Sequence, residues 1–141
     1  MEIQDKQMGG VTVVSLKGSI DAMTAPKITE FIQGLVTKGN IKLIADFSGV
    51  DYTSSAGLRV LLGAIKETRA QGGDLRLAGV QPDVLKVLNL SGFTNILKMF
   101  NDVDTAVASY SEIESWRLIK INHASRWSLV RAVSSARLRS D

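Results

Sequence analysis

A short apolar run, Ile41–Phe47 (IKLIADF), lies between two stretches of helical periodicity, and few folds accommodate that order. Ahead of it, Ile28, Phe31, Ile32, Leu35 and Val36 recur at i, i+3, i+4, i+7 and i+8, with a stop near Gly39. Behind it, Leu58, Leu61, Leu62 and Ile65 share one helical face, and the pattern ends near Gly72-Gly73. A run that is apolar on both faces and carries β-branched residues reads as a buried central strand. Around this unit the chain supplies more strands. Glu2–Met8 and Val11–Lys17 flank Gly9-Gly10, a hairpin signal, and Asp74–Val80 is another strand. Ser19–Pro26 reads as a loop, with Thr24 as N-cap of the first helix and Ala25 and Pro26 in its first turn. Pro82 opens a short helix with Val84, Leu85 and Leu88. After Ser91-Gly92, Ile96–Phe100 reads as a last strand, followed by a helix from Asp104 with Ala106, Val107 and Tyr110. The order β-β-α-β-α-β-α-β-α predicts an α/β domain: a mixed β-sheet with an opening β-hairpin and four to five helices packed against it.

At 141 residues there is room for one domain and a tail. Hydrophobic residues at 45% and charged residues at 22% fit an ordinary folded core. The net charge of +3 would suggest nucleic acid if it were spread over the domain, but it is not. Met1–Glu112 carries 11 basic and 12 acidic residues, whereas residues 113–141 carry six basic and two acidic. The first stretch also holds all 12 glycines, and the second holds both tryptophans, Trp116 and Trp127. The boundary therefore falls near 112: a domain at 1–112 and a basic C-terminal tail at 113–141. Three readings of the tail stand: a surface that touches anionic partners, a helical extension that docks on another subunit, or vector-derived or read-through residues. Its basic residues are too generic to favour direct nucleic-acid binding. There is no cysteine, which excludes disulfides, thiolate nucleophiles and cysteine metal sites, and the single histidine, His123, lies in the tail. No apolar run reaches the length of a membrane span, and Met1–Gly10 has no signal core, so a cytoplasmic protein is expected.

The informative segment is the junction between the central strand and the second helix, Ser48–Gly57, where Thr53, Ser54 and Ser55 follow one another. A helix start leaves backbone N–H groups unpaired and carries partial positive charge. One serine here is an N-cap on the simplest reading. On the other, an exposed serine is a phosphorylation site, because a helix start tolerates the added anion. A nucleophile elbow would need glycine where Thr53 stands, and no GxxxxGK[ST] phosphate loop exists. Asp46 and Asp51 form a carboxylate pair only on paper, with solvated or capping roles expected, and Asp21 reads by itself as a loop acid. Tyr52 suits either the core or a binding face.

Gly18-Ser-Ile-Asp21, Asp46-Phe-Ser-Gly-Val50 and Thr53-Ser-Ser-Ala-Gly-Leu58 together resemble the STAS domain, and more narrowly the bacterial anti-sigma factor antagonists. Gln71–Leu77 and Leu90–Phe93 are similar to that family too, and the resemblance covers about residues 3–111. It implies the STAS fold and partner switching; with no cysteine, a single histidine in the tail and no phosphate loop, no catalysis, metal or cofactor is expected. The unphosphorylated antagonist binds an anti-sigma factor that is also a serine kinase. Phosphorylation releases it, and a serine phosphatase resets it. The family's acceptor falls on Ser55, and Asp21 matches an aspartate beside it. Thr53, Ser54, Ala56, Gly57 and Arg59 then border the acceptor and the partner surface. Two positions depart from the pattern: Ser54 replaces an aspartate, which leaves Ser54 as a second candidate for modification, and Arg59 replaces a glycine. The alternative that the resemblance allows is a constitutive STAS accessory subunit of a transporter or of a stressosome-like assembly.

Overall fold

A computed structural model describes residues 1–111; residues 112–141, which include the tail with its tryptophans, histidine and basic residues, lie outside the described residues. Strands β1 (Glu2–Met8) and β2 (Val11–Ile20) form the antiparallel hairpin expected at Gly9-Gly10. Helix α1 (Ala25–Thr37) leads to β3 (Lys42–Thr53), α2 (Ser55–Ala70) to β4 (Asp74–Ala78), and α3 (Pro82–Leu90) to β5 (Met99–Phe100). The sheet order is β1-β2-β3-β4-β5, and every pairing after the hairpin is parallel, as helical crossovers demand. A 3-10 turn at Phe93–Asn95 precedes β5, and residues 103–111 are helical. Ile96–Phe100 is thus mostly irregular chain, and only its last two residues pair with β4.

One core joins the sheet to the apolar stripes of the helices. Val14, Leu16 and Ile20 of β2, Leu43, Ala45, Phe47 and Val50 of β3, and Leu75 and Leu77 of β4 supply the sheet side. Ile28, Ile32, Leu35 and Val36 of α1, Leu61, Ala64 and Ile65 of α2, and Val84 and Leu88 of α3 pack into it. The second helix turns slightly from the expected face: Leu58 and Leu62 are only half-buried, while Gly57, Ala64 and Thr68 are buried. Gly39 and Gly72 end α1 and α2 with φ of 92° and 89°, a conformation that glycine adopts without a Cβ penalty.

The central strand runs six residues further at its end than Ile41–Phe47 suggested, because its pattern of burial changes period. Phe47, Val50 and Thr53 are buried at intervals of three, not two. Two register shifts against β2 account for this. Ser15 pairs with Asp46 but Lys17 with Gly49, and Gly18 pairs with Val50 but Ser19 with Tyr52. Each shift inserts one extra residue into β3 and moves its inward side chain by one position. The segment that looked like a loop is therefore bulged strand, and it delivers the three hydroxyl residues directly to α2.

Candidate functional site: the start of the second helix

The hydroxyl residues divide by environment. Thr53 is the last residue of β3 and faces inward, 3% exposed, with its hydroxyl donating to the Ser54 carbonyl at 3.3 Å. Ser54 is extended and serves as the N-cap: its Oγ accepts from the Ala56 N–H at 3.2 Å. Its own N–H donates to the Ile20 carbonyl at 2.8 Å, and its carbonyl accepts from Gly57 and Leu58. Ser54 is thus held at donor and acceptor alike. Ser55 is the first residue of α2 and is exposed, and its hydroxyl makes no hydrogen bond among the described residues.

Gly57 lets this junction close. A Cβ there would collide with the Thr53 hydroxyl and lie 2.8 Å from a methyl of Ile20, so the first turn of α2 can rest on β2 and β3 only without a side chain. Ala56 is half-buried and Arg59 is exposed. With Val60 they form one wall of an open groove of about 440 Å³, whose other wall is Ala22, Ala25, Pro26, Thr29 and Glu30 around the start of α1.

Asp21 lies in the turn that leads from β2 to α1, one residue after the Ile20 carbonyl that anchors Ser54. Its Oδ1 accepts from the N–H groups of Met23 at 2.9 Å and Thr24 at 3.0 Å. These bonds, Thr24 first and Met23 second, hold its carboxyl below the ordinary aspartate value. Thr24 stands at the N-cap position of α1 but does not cap it through its side chain. The hydroxyl instead donates to the Ser19 carbonyl at 2.9 Å and accepts from the Asp21 N–H at 2.9 Å. The chain turn itself takes up the helix start, with Ala25 N–H on the Asp21 carbonyl at 2.9 Å. No hydrogen bond joins Asp21 to Ser55; what the fold brings together is the Asp21 turn and the Ser54 cap, through Ile20.

Two features of this end of the sheet lay beyond sequence reasoning. Ser19 Oγ donates to Asp51 at 2.9 Å across β2 and β3, a pair that only the bulged register creates. Met23, 83% exposed, stands in the Asp21 turn, and Tyr52 is exposed rather than in the core. Asp46 accepts from the Ser48 N–H at 3.0 Å and closes the first bulge. Among the described residues no three His, Asp or Glu are placed to hold a metal ion, and no helix is long and apolar enough to cross a membrane.

A hairpin-led mixed sheet, crossed by helices and ending its central strand in a capped serine pair, defines a class of domain. Residues 2–106 match the family model described as STAS domain, and the chain belongs to that family. Within it, the relatives include bacterial proteins named anti-sigma factor antagonists. The chain is 31% identical over 101 residues to the anti-sigma-B factor antagonist of Listeria monocytogenes, across 72% of this chain and 88% of that one. The structure of an anti-sigma factor antagonist from Mycobacterium paratuberculosis superposes with a TM-score of 0.68 at 25% identity, covering 77% of this chain and 92% of that one. The phosphorylated form of Bacillus SpoIIAA shares the fold, with a TM-score of 0.63 at 22% identity over 77% and 99% of the two chains.

Proposed function

We infer that this protein is an anti-sigma factor antagonist, a regulatory binding protein and not an enzyme. Unphosphorylated, it binds an anti-sigma factor that is also a serine kinase, and phosphorylation of Ser55 releases it. The names of its relatives support the antagonist role, and a Bacillus protein of this fold is known in a phosphorylated form. The observation that carries the choice of residue is the contrast between neighbours: Ser54 is consumed as the helix cap, whereas Ser55 presents an exposed, unbonded hydroxyl. In the transfer, Ser55 Oγ attacks the γ-phosphorus of ATP, its proton passes to a base of the kinase, and ADP leaves. A serine phosphatase reverses the modification by hydrolysis. Asp21, Thr53, Ser54, Ala56, Gly57 and Arg59 form the surroundings of the acceptor, and residues 1–112 form the working domain. The antagonist names of the relatives matched in sequence favour this reading over that of a constitutive accessory subunit, whose fold is shared equally.

The phosphate is tolerated by the fold because a helix start favours an anion, but at a partner interface it is a new dianion that must be desolvated. Like-charge contacts at an interface cost several kcal/mol, so Ser55→Asp should weaken binding of the kinase roughly a hundredfold. The test is incubation with candidate anti-sigma serine kinases and ATP, followed by mass mapping. Label on Ser55 that survives Ser54→Ala and disappears in Ser55→Ala is expected. Label on Ser54 alone, or unchanged binding by Ser55→Asp, would overturn the assignment.

A further inference from the structure

Arg59 lies four residues beyond Ser55 on α2, so the two side chains occupy one face, a single turn apart. Long side chains on a helix lean toward its N-terminus, which carries the guanidinium back over the turn that holds Ser55. Both residues are exposed, and Arg59, like Ser55, makes no hydrogen bond or ion pair among the described residues. Among the described residues, Arg59 is also the one cation that lines the α1–α2 groove there. The acids that share its surroundings are Glu30 of α1 and Glu67 of α2, and it is paired with neither.

We propose that Arg59 is a positioning residue for the modified state: once Ser55 carries a phosphoryl group, the guanidinium folds back onto it as an i, i+4 ion pair. This rests on the reading of Ser55 as the phosphorylated residue and adds a consequence to it. A phosphomonoester offers three strong acceptor oxygens and more charge than either carboxylate, in a geometry that the planar fork of arginine matches with two bonds. The pair draws the lone groove cation away from the surface just as the phosphate adds negative charge. A partner that meets this groove with acidic groups then loses an attraction and gains a repulsion in one event.

The test uses the full chain with phosphoserine placed at position 55 during synthesis, and follows the second ionisation of the phosphate by 31P NMR. An adjacent cation favours the dianion, so the midpoint in the native sequence should lie about half a pH unit below that of Arg59→Gln. The helix start acts on both proteins and cancels. Glu30 and Glu67 are present in both proteins, so their contribution cancels as well. Arg59→Lys should keep part of the shift, and 1 M salt should shrink it. Equal midpoints in the native and Arg59→Gln phosphoproteins overturn the proposal. Because the phosphate is installed rather than transferred, that result counts against Arg59 alone, whereas a kinase that ignores Ser55 counts against the switch alone.

Discussion

Three adjacent hydroxyl residues take three different roles here because the end of a bulged strand sets their facing: Thr53 inward, Ser54 on the helix axis, Ser55 outward. That a serine caps α2 was legible in the sequence, since the residue types and the following apolar stripe announce a helix start. Which serine does so was not, because the answer depends on where β3 stops, and two register shifts decide that. Stability should follow the division. Ser54→Ala should cost about 1 kcal/mol in urea unfolding, the usual loss for a cap, whereas Ser55→Ala should stay within about 0.5 kcal/mol. Equal losses would show that the cap is shared. Gly57 is decided by contact rather than by propensity, which would welcome alanine in a helix. Gly57→Ala should destabilise by about 1–3 kcal/mol, through overlap with Thr53 and Ile20.

The helices and strands were read with their order intact; beyond the bounds of β3 and β5, the errors fall where side chains of one element serve another. Thr24 precedes a helix and is a good cap by type, yet its hydroxyl is spent on Ser19 and Asp21 because the β2–α1 turn has its own carbonyl to satisfy. That turn predicts a pH response. Its Asp21 carboxylate is ionised by preference in the folded state, so its contribution is present above the ordinary aspartate value and is lost as pH falls through the lowered folded one. The amide resonances of Met23 and Thr24 should titrate with a midpoint below that of an unperturbed aspartate. A midpoint at or above the ordinary value would contradict the geometry. At the far end of α2, Arg69 donates to Asp74 at 2.8 Å and to the Ile96 carbonyl at 2.8 Å, and the buried Arg76 donates to the other Asp74 oxygen at 3.1 Å. Alternation along DLRLA gave no hint that charged residues would be buried in β4. Removing one partner of a buried pair strands the other, so Asp74→Ala should cost about 3–5 kcal/mol in chemical denaturation. A loss under 1 kcal/mol would mark the cluster as solvated.

For the molecule as a whole, the composition boundary near residue 112 lies close to the end of the compact unit Met1–Val107. If the domain is complete by then, deletion of residues 113–141 should leave a soluble protein with cooperative thermal unfolding. An insoluble or non-cooperative product would place Trp116 and Trp127 in a shared core. The chain also differs along its length in how it can absorb insertions and deletions. Because β3 carries two extra residues against the unbroken β2, each bulge offsets the sequence positions that face inward while the pairing stays in phase, and Thr53, opposite Ile20, faces inward as Phe47 does. Loss of a single residue between 48 and 52 would heal one bulge and leave Thr53 opposite Ile20, so α2 would still start from the same side of the sheet. Loss of two would remove both bulges and keep that pairing. A residue added at Gly9-Gly10 likewise only lengthens a hairpin tip. Along the bulged stretch the ladder carries spare residues and absorbs an odd step, whereas in the regular part of β3 an odd step is a change of face.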